Sequence, residues 1–259
     1  LAKQAEQIAT DFTSVTMSPF YPIYNQFSKD PQYYLLLFAA SKLQILTLTG
    51  SVLSSYSNDQ AGFLTVCSFP ERRLVITGDN IGRLRVWNLT DDNQLNNTVN
   101  FSQQHIQQVS FLERGKNSRY FLSAENVEHK LRVWSIEDLN VTLMVNVTFG
   151  DYIMGIKSIS HDTAIVYGNG YTFQYINIIT GTILASPTIP INTTIVSLEV
   201  LSNTPDGRER VAVLCSDGKV RVFTLNPSTG SLGAINFLFT PLFPQIKKIN
   251  FAMTFKRRN

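Results

Sequence analysis

A heptapeptide that recurs five times constrains this chain more than any other feature. KLQILTL stands at 42–48, RLRVWNL at 83–89, KLRVWSI at 130–136, TFQYINI at 172–178 and KVRVFTL at 219–225. Their fifth residues are Leu46, Trp87, Trp134, Ile176 and Phe223, separated by 41, 47, 42 and 47 positions. A period of that size belongs to propeller blades or to certain helical repeats. Residue type separates the two, because Val, Ile, Trp, Phe and Thr fit strands better than helices.

The surroundings of each heptapeptide extend the pattern. A second apolar run precedes it: YYLLLFAA (33–40), RLVITG (73–78), RYFLSA (119–124), TAIVYG (163–168) and RVAVLCS (210–216). Turn-forming residues separate the two runs, namely Asn80 and Gly82, Asn126, Asn169 and Gly170, and Asp217 and Gly218. Two strands with such a connection make a hairpin. A third run lies upstream in GFLTVCSF (62–69), IQQVSFL (106–112), YIMGIKSI (152–159) and TIVSLEVL (194–201), and a weaker fourth follows in VTLMVNVTF (141–149) and TILASPTI (182–189). Four antiparallel strands per unit is the blade of a β-propeller. The heptapeptides are apolar at positions two, four, five and seven, so they do not alternate strictly. Strands packed on both faces by neighbouring blades are expected to look like that.

At these residues the sequence resembles the WD-repeat β-propeller family. SDGKVRVFTL (216–225) is similar to the family's turn and third strand, with Phe223 where the family prefers Trp. GDNIGRLRVWNL (78–89) and SAENVEHKLRVWSI (123–136) carry the Trp itself, and HIQQVSF (105–111) resembles the family's opening of the innermost strand. The Asp that normally follows Trp is replaced by Thr47, Asn88, Ser135, Asn177 and Thr224. The resemblance implies one buried His–Ser–acid–Trp network, at His105, Ser123, Glu128 and Trp134. The equivalent repeat position of Trp87, Trp134 and Phe223 argues for structural roles in packing between blades.

The expected architecture is all-β. Residues 13–259 form a WD-repeat-like propeller of four-stranded antiparallel blades, with repeats near 13–57, 61–101, 104–149, 151–189 and 192–239. A sixth blade starts at 245–255, and the resemblance implies a seven-bladed ring of which this chain is a part. Residues 1–12, apolar at helical spacing, are expected to be a short helix or the end of a preceding segment.

Chemistry-bearing motifs are scarce in this sequence. The chain has no G-x-S-x-G, P-loop, H-E-x-x-H or Cys-x-x-Cys pattern. Two cysteines, Cys67 and Cys215, and three histidines, His105, His129 and His161, supply no metal-ligand spacing. No metal, cofactor or small-molecule substrate is expected, and the chain is not expected to be an enzyme. The longest apolar run, eight residues, is too short to cross a bilayer as a helix. Six Asn-x-Ser/Thr triplets begin at Asn88, Asn96, Asn100, Asn140, Asn146 and Asn192. Because Asn88 falls inside a strand expected to be buried, they are read as chance occurrences, and the protein is expected to be intracellular and cytoplasmic.

The expected function is a non-catalytic protein–protein interaction scaffold within a larger assembly, as the resemblance implies. The expected partner-binding face holds the loops joining second and third strands: Asp79, Asn80, Glu125, Asn126, Asn169, Tyr171, Ser216 and Asp217. The alternative is nucleic-acid or ribonucleoprotein association through the Arg72–Arg73 loop and the basic C-terminal residues. A propeller enzyme ranks last, because the inner strands offer few acids or histidines.

Overall fold

The computed structural model describes residues 34–39, 42–47, 51–57, 61–90, 95–100, 105, 107–189, 192–227 and 236–239. The expected N-terminal helix and the expected blade start at 245–255 lie outside them. The chain divides into two compact units, Leu1–Gly150 and Asp151–Asn259.

The first unit contains three described sheets. One is three-stranded, with β1 (Tyr34–Ala39), β2 (Lys42–Thr47) and β3 (Val52–Ser57) in sequence order. The next is four-stranded: β4 (Phe63–Phe69), β5 (Leu74–Asp79), β6 (Leu84–Leu89) and β7 (Leu95–Asn100). The third joins β8 (Phe111–Arg114), β9 (Tyr120–Glu125), β10 (Lys130–Glu137) and β11 (Asn140–Thr148). The second unit has β12 (Ile153–Ser158), β13 (Thr163–Gly168), β14 (Phe173–Asn177) and β15 (Ile183–Ala185) in one sheet. Its other sheet holds β16 (Ile195–Leu201), β17 (Glu209–Cys215), β18 (Val220–Leu225) and β19 (Asn236–Phe239). Every pairing is antiparallel between chain neighbours, so each sheet is a meander and every heptapeptide is a third strand of four (or, in the first sheet, the second described).

Burial explains why the heptapeptides do not alternate. In β10, Leu131, Arg132, Val133, Trp134 and Ile136 are all buried, and β18 is buried at five of its six positions. One face of blade three, with Phe121, Trp134 and Ile136, packs on Cys67, Phe69, Leu74, Ile76, Leu84 and Val86 of blade two. In the second unit, Tyr167, Phe173 and Tyr175 meet Leu198, Val211, Val213 and Phe223 in the same way. A fully buried side chain of this size contributes about 1.5–3 kcal/mol. These inter-sheet seams are therefore the main source of stability within each unit.

Two irregularities recur. The outermost strand bulges opposite the heptapeptide's centre at Leu46, Trp87, Trp134 and Ile176. The innermost strand bulges at its second residue in three sheets, skipping Leu64, Met154 and Val196 in the pairing. A bulge re-aims the unpaired side chain and twists the strand locally.

Blade three departs from the expected innermost run at 106–112, since β8 begins only at Phe111. The preceding backbone is used elsewhere. His105 N donates to Gly82 O at 3.1 Å, and Val109 N donates to Asp79 O at 3.0 Å. Both acceptors belong to the β5–β6 turn of blade two. Gly82 has φ of 87°, and a Cβ there would lie 2.2 Å from His105 O, so both conformation and space demand glycine.

Candidate interaction face

The antiparallel meander brings the end of each second strand, the start of each third and the start of each first to one end of its sheet. The residues expected to bind partners all lie there, but their environments differ. Asp79 and Glu125 are buried, 1% and 0% exposed, which removes them from any surface. Asp79 instead builds the turn: its Oδ1 accepts from Ile81 N at 3.1 Å and Arg83 N at 2.8 Å. Asn126 is half-buried.

Asn80, Asn169, Tyr171, Ser216 and Asp217 are exposed, and three of them also fasten their loops. Asn80 N donates to Gly62 O, and Asn80 Oδ1 accepts from Gly62 N. Ser216 makes the same clip on Thr194, through its own N and Oγ. In both blades the first turn residue staples the chain just ahead of the innermost strand. Asp217 accepts from both terminal nitrogens of Arg221, at 3.0 and 2.6 Å, and from Lys219 N at 3.1 Å. The Arg221 guanidinium holds the Asp217 carboxyl below the usual carboxylate range. Tyr171 is 47% exposed and is the aromatic member of this set.

The structure adds residues that the loop pattern did not single out. The bulged residues Leu64, Met154 and Val196 are 42%, 46% and 41% exposed, although all are apolar. They begin the innermost strands, at the same end as the turns. In the first unit they are joined there by Ile81 and Val127, and in the second by Tyr152 and Tyr171. The signal was present in GFLTV, YIMGI and TIVSL, where an apolar residue follows another at one repeat position. It reads as ordinary strand until the bulge is seen.

Beneath this end of blade three lies the buried polar network, with one correction. Trp134 Nε1 donates to Ser123 Oγ at 2.8 Å, and His105 Nε2 lies 2.6 Å from the same oxygen. The carboxylate beside His105 Nδ1 is Glu125, at 3.4 Å, and not Glu128. Glu125 ends β9 and points inward, whereas Glu128 sits in the turn and pairs with Lys130. Burial, followed by the positive charges of Arg132 and Lys130, pushes His105 down to about 3, so the imidazole is neutral. Burial raises Glu125, the neighbouring Glu128 carboxyl raises it further, and the Lys130 ammonium holds Glu128 down.

The second unit contains a different network that the sequence reading missed. Glu209 is 2% exposed and accepts from Thr163 Oγ1 at 2.8 Å and Tyr175 OH at 2.8 Å. It joins two sheets at the end opposite the turns, because Thr163 and Glu209 both open second strands. Burial and the Glu209 carboxylate push the Tyr175 phenol up. No repeat position marks Glu209 in advance.

The paired arginines are committed to backbone. Arg72 donates to Ser118 O, Ile136 O and Asp138 O of blade three. Arg73 donates to Leu89 O and Thr90 O of its own blade. The basic C-terminal residues lie outside the described ones. Among the described residues no cluster of three or more His, Cys, Asp or Glu could hold a metal, and no helix is long and apolar enough to cross a membrane.

Comparison with known proteins agrees with this architecture. The chain is similar to the crystal structure of the WD40 β-propeller domain of Doa1, with 17% identity and a TM-score of 0.53. That match covers 79% of this chain and 64% of the other, so the chain spans just under two thirds of that domain. A crystal structure of a protein from Lactobacillus plantarum matches with 14% identity and a TM-score of 0.61, covering 81% of this chain and 68% of that one. The sequence matches no protein-family model and no curated protein. The fold is that of a β-propeller built from four-stranded antiparallel sheets.

Proposed function

We propose that this chain is a non-catalytic interaction scaffold of the WD-repeat kind and a subunit of a larger assembly. Its partner contacts the turn-bearing end of the sheets. The observation that carries this reading is the repeated exposure of apolar side chains there. Three sheets use the same bulge to present Leu64, Met154 or Val196 to solvent. In the second unit, Tyr152 and Tyr171 supply aromatic anchors of the type that dominates binding energy at protein interfaces, beside the exposed apolar Met154 and Val196. Asn169 and Ser216 provide polar neighbours at the same end.

The nucleic-acid alternative draws less support. It would use the Arg72–Arg73 loop, and both guanidiniums are already engaged with carbonyl oxygens. A test compares partners captured from the native source by the wild-type chain and by a Tyr171→Ala/Met154→Ser variant. The reading expects a defined set of proteins whose capture survives nuclease and is lost in the variant. Capture unchanged by the variant, or abolished by nuclease, would overturn it.

A further inference from the structure

The Asn-x-Ser/Thr triplets are expected to be chance occurrences because one of them, Asn88, falls in a strand expected to be buried. The structure separates five of the six; the side chain of Asn100 lies outside the described residues. Asn88 sits half-buried on the third strand β6, paired with Leu74 on one side and Asn96 on the other. Asn96, Asn140, Asn146 and Asn192 are exposed. Three of those four lie on outermost strands, β7 and β11, and Asn192 lies in the segment leading into β16. Strand residues two apart share a face. Accordingly Thr142 is exposed beside Asn140, and Thr148 beside Asn146.

A second observation concerns β11 itself. It is nine residues long, NVTLMVNVT, with no charge and no proline. Among the described residues, the outermost strands of the second unit run for three and four residues. Val141 and Leu143 pack inward, while Asn140, Thr142, Met144, Asn146 and Thr148 form the outward row. An edge of that length and composition invites pairing with another chain, and natural edges are shortened, charged or covered. One bulge, at Met144, is the only such device within β11. Both acceptor triplets flank that bulge.

The geometry points to N-linked glycans on the outer strands, at Asn96, Asn140 and Asn146, and at Asn192, with Asn88 left bare. The pair on β11 covers the edge that sequence leaves unprotected. A glycan is bulky and solubilising, and it requires a surface position. In the transfer, the Asn side-chain nitrogen bonds to the anomeric carbon of a lipid-pyrophosphate-linked oligosaccharide. The bond from that carbon to the phosphate oxygen breaks, the lipid pyrophosphate leaves with the electron pair, and the amide gives up one proton. This places the chain in the secretory pathway, contrary to the intracellular expectation, which rested on Asn88. It does not depend on the interaction reading; a bare chain would leave partner capture by the turn-bearing end untouched.

The test is protein purified from its native source, digested with peptide-N-glycosidases F and A in oxygen-18 water and mapped by mass spectrometry. Stepwise mass loss is expected, with labelled Asp appearing at positions 96, 140, 146 and 192 and none at 88. An unchanged intact mass with unmodified Asn140 and Asn146 peptides overturns the assignment. An Asn140→Gln/Asn146→Gln variant made in the same cells should keep the parent's circular dichroism and lose two mass steps. It should also self-associate at lower protein concentration. If it stays as monodisperse as the parent, the edge-covering role is overturned.

Discussion

Blades two and three of the first unit and blades four and five of the second use the same strand scaffold but lock it differently. In the first unit, the heptapeptide carries Trp, and the second strand carries a hydroxyl that accepts from the indole. Trp87 Nε1 donates to Thr77 Oγ1 at 2.9 Å, and Trp134 Nε1 to Ser123 Oγ at 2.8 Å. In the second unit the same central position is Ile176 or Phe223. The residue at the hydroxyl's place, opposite Gln174 or Arg221, is Val166 or Val213. Donor and acceptor are present together or absent together. A buried indole N–H without an acceptor, or a buried hydroxyl without a donor, costs more than an apolar pair. The second unit instead places its polar lock at the other end of the sheets, at Glu209, Thr163 and Tyr175. At the central position the blade thus demands filled volume and a matched donor and acceptor, or neither, without requiring tryptophan.

The largest break in this comparison is expected from Trp134→Ala. It removes a side chain 1% exposed that stacks on Phe121 at 5.9 Å, and leaves Ser123 without its donor. The expected loss is about 3–5 kcal/mol in urea denaturation. A loss below 1 kcal/mol would show that the seam between blades two and three does not hold the first unit together.

A finer test exchanges the two designs. Thr77→Val should cost about 1–3 kcal/mol, because Trp87 keeps its N–H and loses its acceptor. The double variant Thr77→Val/Trp87→Phe, which copies blade five, should cost less than the two single changes summed. Conversely, Val213→Thr puts a hydroxyl where Phe223 offers nothing, and should destabilise by about 1–3 kcal/mol. Strict additivity in the cycle would contradict the pairing rule.

This pattern also marks the limit of what the sequence discloses. Strand order and blade period were legible, because inter-sheet packing imposes apolar residues at fixed positions in every repeat. The His105–Ser123–Trp134 core was legible only through the resemblance to the WD-repeat family, which implies such a network. The acid was misplaced, because Glu125 and Glu128 lie three residues apart and only the strand's end decides which one points inward. Asp79 looked like a surface turn residue, but its turn folds back over its own carboxylate. Glu209 and the bulged Leu64, Met154 and Val196 were not legible, since each depends on a contact or a register shift that no residue type announces.

The network around His105 also responds to acid. His105 is held neutral, at about 3 in the folded chain against 6.5 for a free imidazole. Below pH 6.5 the unfolded chain takes up a proton that the folded chain refuses until about 3. The stability His105 contributes is therefore complete above 6.5 and lost as pH falls through that window, at up to about 1.4 kcal/mol per pH unit. Glu125, raised by burial, acts in the opposite direction. Subtracting the pH profile of His105→Gln from that of the wild type isolates the imidazole. A flat difference between pH 6.5 and 4 would mean that His105 is not held neutral.

The smallest expected effect on stability falls at the turn-bearing end of the second unit. Tyr171 lies 47% exposed beside Gly170, whose oxygen accepts from Ile195 N, so the loop is fixed by backbone and not by the phenol. Tyr171→Ala should leave the urea midpoint within about 0.5 kcal/mol of wild type. Tyr175→Phe, four residues along, removes one of the hydroxyls that Glu209 accepts from and should cost about 1–3 kcal/mol. If the exposed tyrosine proved as costly as the buried one, Tyr171 would be a structural residue. The interaction face of the second unit would then rest on Tyr152, Met154 and Val196 alone.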